Sequence, residues 1–228
     1  MDQDRLKLNA AKEAVKNVKS GMVLGLGTGS TANFAIREIS KMLETGLVKD
    51  IAGIPSSMQT ERLASSLGIK LIGFRDIKEI DLNIDGADEA DYQLNLIKGG
   101  GGALLKEKII AQASKKNIIV VDENKMSESL GSKWPVPVEL TEFAYEPVLK
   151  YLKSLGGAAN LRILKDGEPF RTEEGNFIID CSFGEINDVY RLNRDLSAKA
   201  GIVEHGLFVD IADELVIGQP DGIKILKK

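Results

Sequence analysis

Histidine and cysteine are almost missing from this chain: His205 and Cys181 stand alone among 228 residues. One of each cannot assemble a His/Cys zinc site. A lone cysteine cannot close an intrachain disulfide, which suits a reducing cytoplasm. A serine triad would have to use His205, which lies in "VEHGLF" at a strand-to-glycine boundary, and no G-x-S-x-G elbow occurs elsewhere. A structural role for His205 is the expectation. No apolar run approaches the ~18 residues needed to span a bilayer, and the opening "MDQDRLKLNA" has no signal-peptide apolar stretch. A basic excess is missing too: 30 Lys and Arg face 34 Asp and Glu, a formal net charge of -4. Phosphates along a nucleic-acid backbone would find no counter-charge, although a local lysine cluster could still hold a small anion. The expectation is a cytoplasmic protein with no nucleic-acid and no membrane partner, in which carboxylates and lysines carry any acid–base chemistry.

What is present is ordinary globular material, 43% apolar and 28% charged, with no internal repeats. Leu6, Ala10, Ala14 and Val18 recur at i, i+4 and predict a helix over 3–19. "GMVLGLG", "DIAGIP", "IKLIGF", "IDLNID" and "NIIVVD" read as strands. Between them, "STANFAIREISKMLE", "MQTERLASSLG" and "ALLKEKIIAQASKK" run at helical period, the first opening on Ser and Thr as cap candidates. "GADEADYQ" reads as a loop. Alternation of this kind predicts an α/β domain with a mainly parallel sheet.

The rhythm changes after Leu130. "KWPVPVEL" reads as a strand kept to an edge or entry position by its prolines. The order through "IVEHG" is β-α-β-β-α-β, the split ferredoxin-like unit. The predicted division is therefore a first domain of residues 1–130 plus 206–228, with a small inserted α+β domain at 131–205. The last segment, "LFVDIADELVIGQPDGIKILKK", holds two strand runs joined by a Pro-Asp-Gly turn and is expected to return to the first sheet.

Three stretches carry chemistry. In "GLGTGSTA", glycines between a strand and a helix allow close backbone approach, and the helix start offers free N–H groups. Thr28, Ser30 and Thr31 add hydroxyls beside Gly29, so the stretch is either a phosphate cradle or a plain turn. It is not a dinucleotide fingerprint, because Ser30 stands where glycine is needed and no acid ends the second strand. The G-K-[ST] ending of a P-loop is absent as well. In "DGADEAD", Asp85, Asp88, Glu89 and Asp91 crowd a strand end, without the ligand pattern of a calcium loop. They read as sugar-binding or proton-moving carboxylates, or as a solvated acidic turn.

The third stretch, "IKGGGGALLKEK", runs from Lys98 through four glycines to Glu107. A helical wheel from Ala103 places Lys108 and Gln112 on the polar strip and Glu107 among small and apolar neighbours. A carboxyl group so placed can have its pKa raised toward neutrality, as a general base requires. The alternative is a structural ion pair at the helix margin.

"GLGTGSTA", "DGADE", "IKGGGGALLKEK" and "VVDENK" follow one another in an order that resembles the A-type ribose-5-phosphate isomerases. The similarity covers essentially the whole chain, while "GIPSS" and "MQTERL" look variant. The resemblance implies a Rossmann-like catalytic domain with a ferredoxin-like lid, a homodimer or homotetramer, and interconversion of two pentose phosphates with no metal and no cofactor. It implies Glu107 as the catalytic base, aided by Asp85 and Lys98. Substrate contacts are implied for Thr28, Gly29, Ser30 and Thr31; for Asp85, Gly86, Ala87 and Asp88; for Lys98, Gly99, Gly100 and Gly101; for Lys125; and, less directly, for Lys7.

Overall fold

The computed structural model describes residues 3–228; Met1 and Asp2, the first residues of the expected 1–130 segment, lie outside them. Two compact units share the chain. The first holds the described residues through Ala87 with Lys106–Lys125 and Asp210–Lys228, the second Asp88–Leu105 with Met126–Val209.

The chain begins in the first unit with α1 (Gln3–Ala14), β1 (Val23–Leu26), α2 (Ser30–Glu44), β2 (Ala52–Pro55), α3 (Met58–Ser66), β3 (Lys70–Leu71) and β4 (Leu82–Gly86). It enters the second for β5 (Glu89–Asp91) and β6 (Leu96–Ile97), and α4 (Leu104–Gln112) leads to β7 (Asn117–Asp122) in the first. The second unit resumes with β8 (Met126–Ser127), β9 (Val136–Leu140), α5 (Tyr145–Ser154), β10 (Ala158–Leu161), β11 (Phe177–Ser182), α6 (Val189–Ser197), β12 (Ile202–His205) and β13 (Leu207–Phe208). Strands β14 (Glu214–Gln219) and β15 (Gly222–Lys227) finish in the first.

In the first unit seven strands form one sheet in the order β15-β14-β7-β4-β1-β2-β3. Only β14 with β15 is antiparallel, so the C-terminal hairpin returns to this sheet as its pattern predicts. "NIIVVD" is buried at every position of β7, the unbroken apolar run of a parallel strand covered on both faces. Helix α2 buries Ala32, Ala35, Ile36 and Ile39, a stripe at i, i+3, i+4 and i+7 that faces the core. Strand order reverses between β1 and β4. Open α/β sheets place ligands at the carboxyl ends of strands where that reversal occurs.

In the second unit, β9-α5-β10-β11-α6-β12 builds a four-stranded sheet in the order β10-β11-β9-β12, antiparallel throughout. This is the expected ferredoxin-like arrangement. Val136, Val138 and Leu140 of β9 pack with Val148, Leu152, Ile179 and Leu196 in its core. Four short strands, β13-β6-β5-β8, form a further sheet.

Several expectations are corrected. The strand with prolines is not at an edge: β9 lies between β11 and β12 and is fully buried. Pro137 is tolerated there because its carbonyl accepts from Gly206 N–H at 2.7 Å, just beyond the end of β12. Its ring nitrogen faces the same side, where no ladder donor is needed. "GADEADYQ" is not all loop, since Glu89–Asp91 is strand β5. The first helix stops at Ala14, short of residue 19, and tightens into a 3₁₀ turn over Val15–Asn17, where Asn17 Nδ2 donates to the Ala14 carbonyl at 3.1 Å. The second unit is also wider than 131–205. Pairing among β5, β6, β8 and β13 ties residues 88–105, 126–130 and 206–209 to it.

Candidate active site

The first unit assembles a polar cluster at the reversal point. Thr28 N–H donates to Asp85 Oδ1 at 3.1 Å and Gly86 N–H donates to the same oxygen at 2.7 Å, so one buried carboxylate joins the ends of β1 and β4. Gly27 makes this possible: a Cβ there would lie 2.1 Å from Asp85 Oδ1. This glycine makes room for the protein's own carboxylate and not directly for a ligand.

Gly29 is the N-cap residue of α2, with φ +103, a conformation that glycine adopts without the cost of a side chain. The expected Ser and Thr caps are instead the first helical residues, Ser30 and Thr31, and no side chain caps this helix. Its first N–H groups and the positive end of its dipole therefore suit an anion. Lys7, from α1, brings its Nζ to 3.1 Å from Ser30 Oγ and adds a full positive charge. Thr31 lies beside Gly86.

A second hydroxyl group of residues lies outside the predicted motifs. Thr28 Oγ1 is 2.7 Å from Ser56 Oγ, 2.8 Å from Ser57 Oγ and 3.1 Å from Thr60 Oγ1. The available signal was position, since "PSS" ends β2 at the carboxyl edge of the same sheet. Thr28 thus spends its hydroxyl on packing the turn, and its N–H fixes Asp85.

Glu107 sits in the first turn of α4, also in the first unit, and is only 5% exposed. The neighbouring expectation fails: Lys108 is 5% exposed rather than on a solvent strip, while Ile109 is 45% exposed. Apolar and charged residues are spread around α4, so its periodicity did not fix which side faces the core. Lys125 ends a 3₁₀ turn after β7 and is half-buried. Ala87 follows β4 and ends this part of the unit.

The second unit holds the other predicted residues. Asp88 Oδ2 accepts from Gly100 N–H at 2.7 Å. Lys98 follows β6, is 3% exposed, and holds its Nζ 5.5 Å from the Phe208 ring centroid. Its main-chain N–H donates to Gly206 O at 2.9 Å. The run Gly99–Gly100–Gly101 turns tightly, with Gly99 at φ +100 and Gly102 N–H donating back to Gly99 O at 3.0 Å. It is a folded turn and not a linker. Of the remaining acids, Glu89 binds the N–H groups of Gly131 and Trp134 at 3.1 and 2.9 Å, and Asp91 binds those of Gln93 and Asn95. Both are structural.

Residues 52–222 match the family model described as Ribose 5-phosphate isomerase A (phosphoriboisomerase A). The chain belongs to this family. A ribose-5-phosphate isomerase A of Desulfatibacillum aliphaticivorans is 50% identical over 225 residues, covering 99% of this chain and 98% of the relative. One from Chloroflexus aurantiacus is 48% identical over 96% of this chain and 91% of its own length. Among solved structures, a D-ribose-5-phosphate isomerase in complex with phospho-erythronic acid superposes with a TM-score of 0.98 at 39% identity, covering 100% of both chains. The ribose 5-phosphate isomerase A of Methanocaldococcus jannaschii gives 0.94 at 40% identity, again over 100% of both.

Two residues stand apart from the isomerase motifs. His205 is 1% exposed, with Nε2 2.9 Å from Ser197 Oγ and Nδ1 accepting from Leu207 N–H at 3.4 Å, a structural setting. Burial pushes the Cys181 thiol up to about 12, far from the thiolate that a nucleophile needs. Among the described residues no helix is long and apolar enough to cross a membrane.

Proposed function

We propose that this isomerase-family chain interconverts D-ribose 5-phosphate and D-ribulose 5-phosphate through a cis-enediolate, with Glu107 as the base, a step of the non-oxidative pentose phosphate pathway. The observation that carries the reading is the anion cradle at the start of α2, where Lys7 meets Ser30 beside uncapped helix N–H groups. It suits the substrate's terminal phosphate.

In the open-chain aldose, the Glu107 carboxylate takes the C2 proton, and the C1 carbonyl oxygen gains the negative charge. Return of that proton to C1, with the O2 proton passing to O1, leaves a C1 hydroxyl and a C2 carbonyl, the ketose. One carboxylate serves both halves. Lys98 and the N–H groups of Gly99 and Gly101 supply positive partners for the enediolate oxygens. Asp85 and Asp88 assist ring opening and hydroxyl proton transfers, Lys125 adds a further cation, and Gly86 and Ala87 contribute backbone contacts. The phospho-erythronic acid bound by the solved relative supports this reading. A planar carboxylate on a phosphorylated polyol has the shape and charge of the enediolate. No step calls on a metal or organic cofactor, so EDTA is expected to leave the rate unchanged.

The test is incubation with ribose 5-phosphate in heavy water. Deuterium at the exchanging carbon together with ribulose 5-phosphate is expected. The absence of both overturns the reading, and binding without exchange would make the protein a sensor. A homodimer or homotetramer working in the cytoplasm completes the proposal. The exposed Phe143, at 99%, and Leu47, at 71%, favour subunit contacts, and light scattering decides between the two sizes.

A further inference from the structure

Arg162 reaches the glycine run from outside every motif discussed so far. It follows β10 and opens a hairpin in which Phe170 N–H donates to Arg162 O at 2.9 Å and Leu164 N–H to Glu168 O at 2.8 Å. Asp180 of β11 anchors the guanidinium twice, Nε to Oδ2 at 2.8 Å and Nη2 to Oδ1 at 2.5 Å. The remaining nitrogen, Nη1, donates to the carbonyls of Gly99 at 3.0 Å and Gly100 at 3.2 Å. Phe170, opposite Arg162 across the hairpin, lies with its ring 5.5 Å from the guanidinium carbon. The same ring fills the space beside Gly102, where a Cβ would meet Phe170 Cζ at 2.5 Å.

A trans peptide points its C=O and the following N–H in opposite directions. Arg162 holds the Gly99 carbonyl, so Gly100 N–H turns the other way, and there Asp88 Oδ2 takes it at 2.7 Å. One peptide plane is thus gripped on both edges by opposite charges. Arg162 also holds the Gly100 carbonyl, which by the same geometry turns Gly101 N–H away from the guanidinium. Glycine has the freest backbone of any residue, so consecutive glycines do not fix these directions themselves.

We propose that Arg162 is a positioning residue for the isomerisation. It sets two peptide planes of the glycine run so that the Gly101 N–H is aimed in advance, with Lys98, at the oxygen that becomes negative in the enediolate. Asp180 and Phe170 hold the guanidinium in place. The inference rests on the assignment above of this run to the substrate. Donors fixed before the charge develops lower the barrier more than they strengthen ground-state binding, so the effect belongs on kcat.

The experiment compares wild type, Arg162→Lys and Arg162→Ala, with kcat and KM measured separately per folded molecule. Amide hydrogen exchange of the glycine run is measured without substrate. Arg162→Ala is expected to lower kcat about tenfold to hundredfold while KM moves by no more than about threefold. Arg162→Lys should fall between the two, millimolar methylguanidinium should restore part of the alanine variant's rate, and the glycine amides should exchange faster. A residue needed only for folding would lower thermal stability and the folded fraction, leave kcat per folded molecule intact, and give no rescue; that result overturns the proposal. If the alanine variant does not fold, Asp180→Asn decides. A kcat-selective loss supports the clamp, and wild-type kcat sinks it. An inactive wild type would instead remove the isomerase reading, leaving the exchange rates to judge whether Arg162 orders the run.

Discussion

The main-chain N–H of Thr28 and the carboxylate of Asp85 meet at 3.1 Å, joining the ends of two adjacent parallel strands. That bond fixes the turn before α2 to the carboxylate proposed above to assist ring opening. It depends on a glycine beside it that has no functional group.

Gly27→Ala tests this dependence. The new methyl would lie 2.1 Å from Asp85 Oδ1 and 2.6 Å from its Cα, and the backbone atom cannot give way cheaply. A destabilisation of about 1–3 kcal/mol is expected from overpacking, with activity lost alongside. Urea denaturation reads the first and the isomerase assay the second. A variant with wild-type midpoint and rate would show that the strand ends do not need this contact.

Glu107→Gln keeps the shape of the side chain and removes its proton acceptor. The expected loss in kcat is about 10²- to 10⁴-fold, with KM within a few-fold. Exchange of the C2 proton in heavy water should fall in parallel. Near-normal exchange would take the base role away from Glu107.

Lys7→Met removes the cation that meets Ser30 at the head of α2. A charge-assisted hydrogen bond to phosphate is worth about 1.5–3 kcal/mol, or roughly tenfold to a hundredfold in affinity. KM for ribose 5-phosphate should rise by that factor while kcat changes less. Activity on unphosphorylated ribose provides the control: an equal loss there would place Lys7 outside the phosphate subsite.

Glu139 makes stability depend on pH. Burial, first, holds its carboxyl above the ordinary carboxylate range, against the lowering effect of hydrogen bonds from Asn176 and Thr172. Because the folded-state pKa is raised, the contribution is fully present below the ordinary value of about 4.3 and is lost as pH rises through the raised one. Glu139→Gln has no such titration. Urea midpoints measured from pH 4 to pH 8 should therefore show the variant gaining on wild type as pH rises. Parallel profiles would contradict this account.

Legibility in the sequence followed physical type. The alternation of strands and helices, the buried run of β7 and the stripe on α2 depend on local period, and each appears where that period predicted it. Lys108 was misplaced because α4 carries apolar and charged residues on all sides, so only packing decides which are covered. The missing N–H of Pro137 is visible in sequence and points to an edge or entry position, whereas the end of the neighbouring strand that excuses it is not visible there. The width of the second unit escaped for the same reason, since strands of two or three residues carry almost no periodic signal.

By itself, the sequence determined the fold class, the exclusion of histidine-based zinc chemistry, and the residues that make this chain a member of its family. These depend on composition and on motifs a few residues long. The tertiary structure decided what each group does within its unit: that Gly27 makes room for Asp85, that Lys7 meets Ser30, that Glu89 and Asp91 bind backbone, and that Arg162 holds the glycine run from 62 residues away. Hydrogen bonds act over about 3 Å, and only folding brings distant residues within that distance.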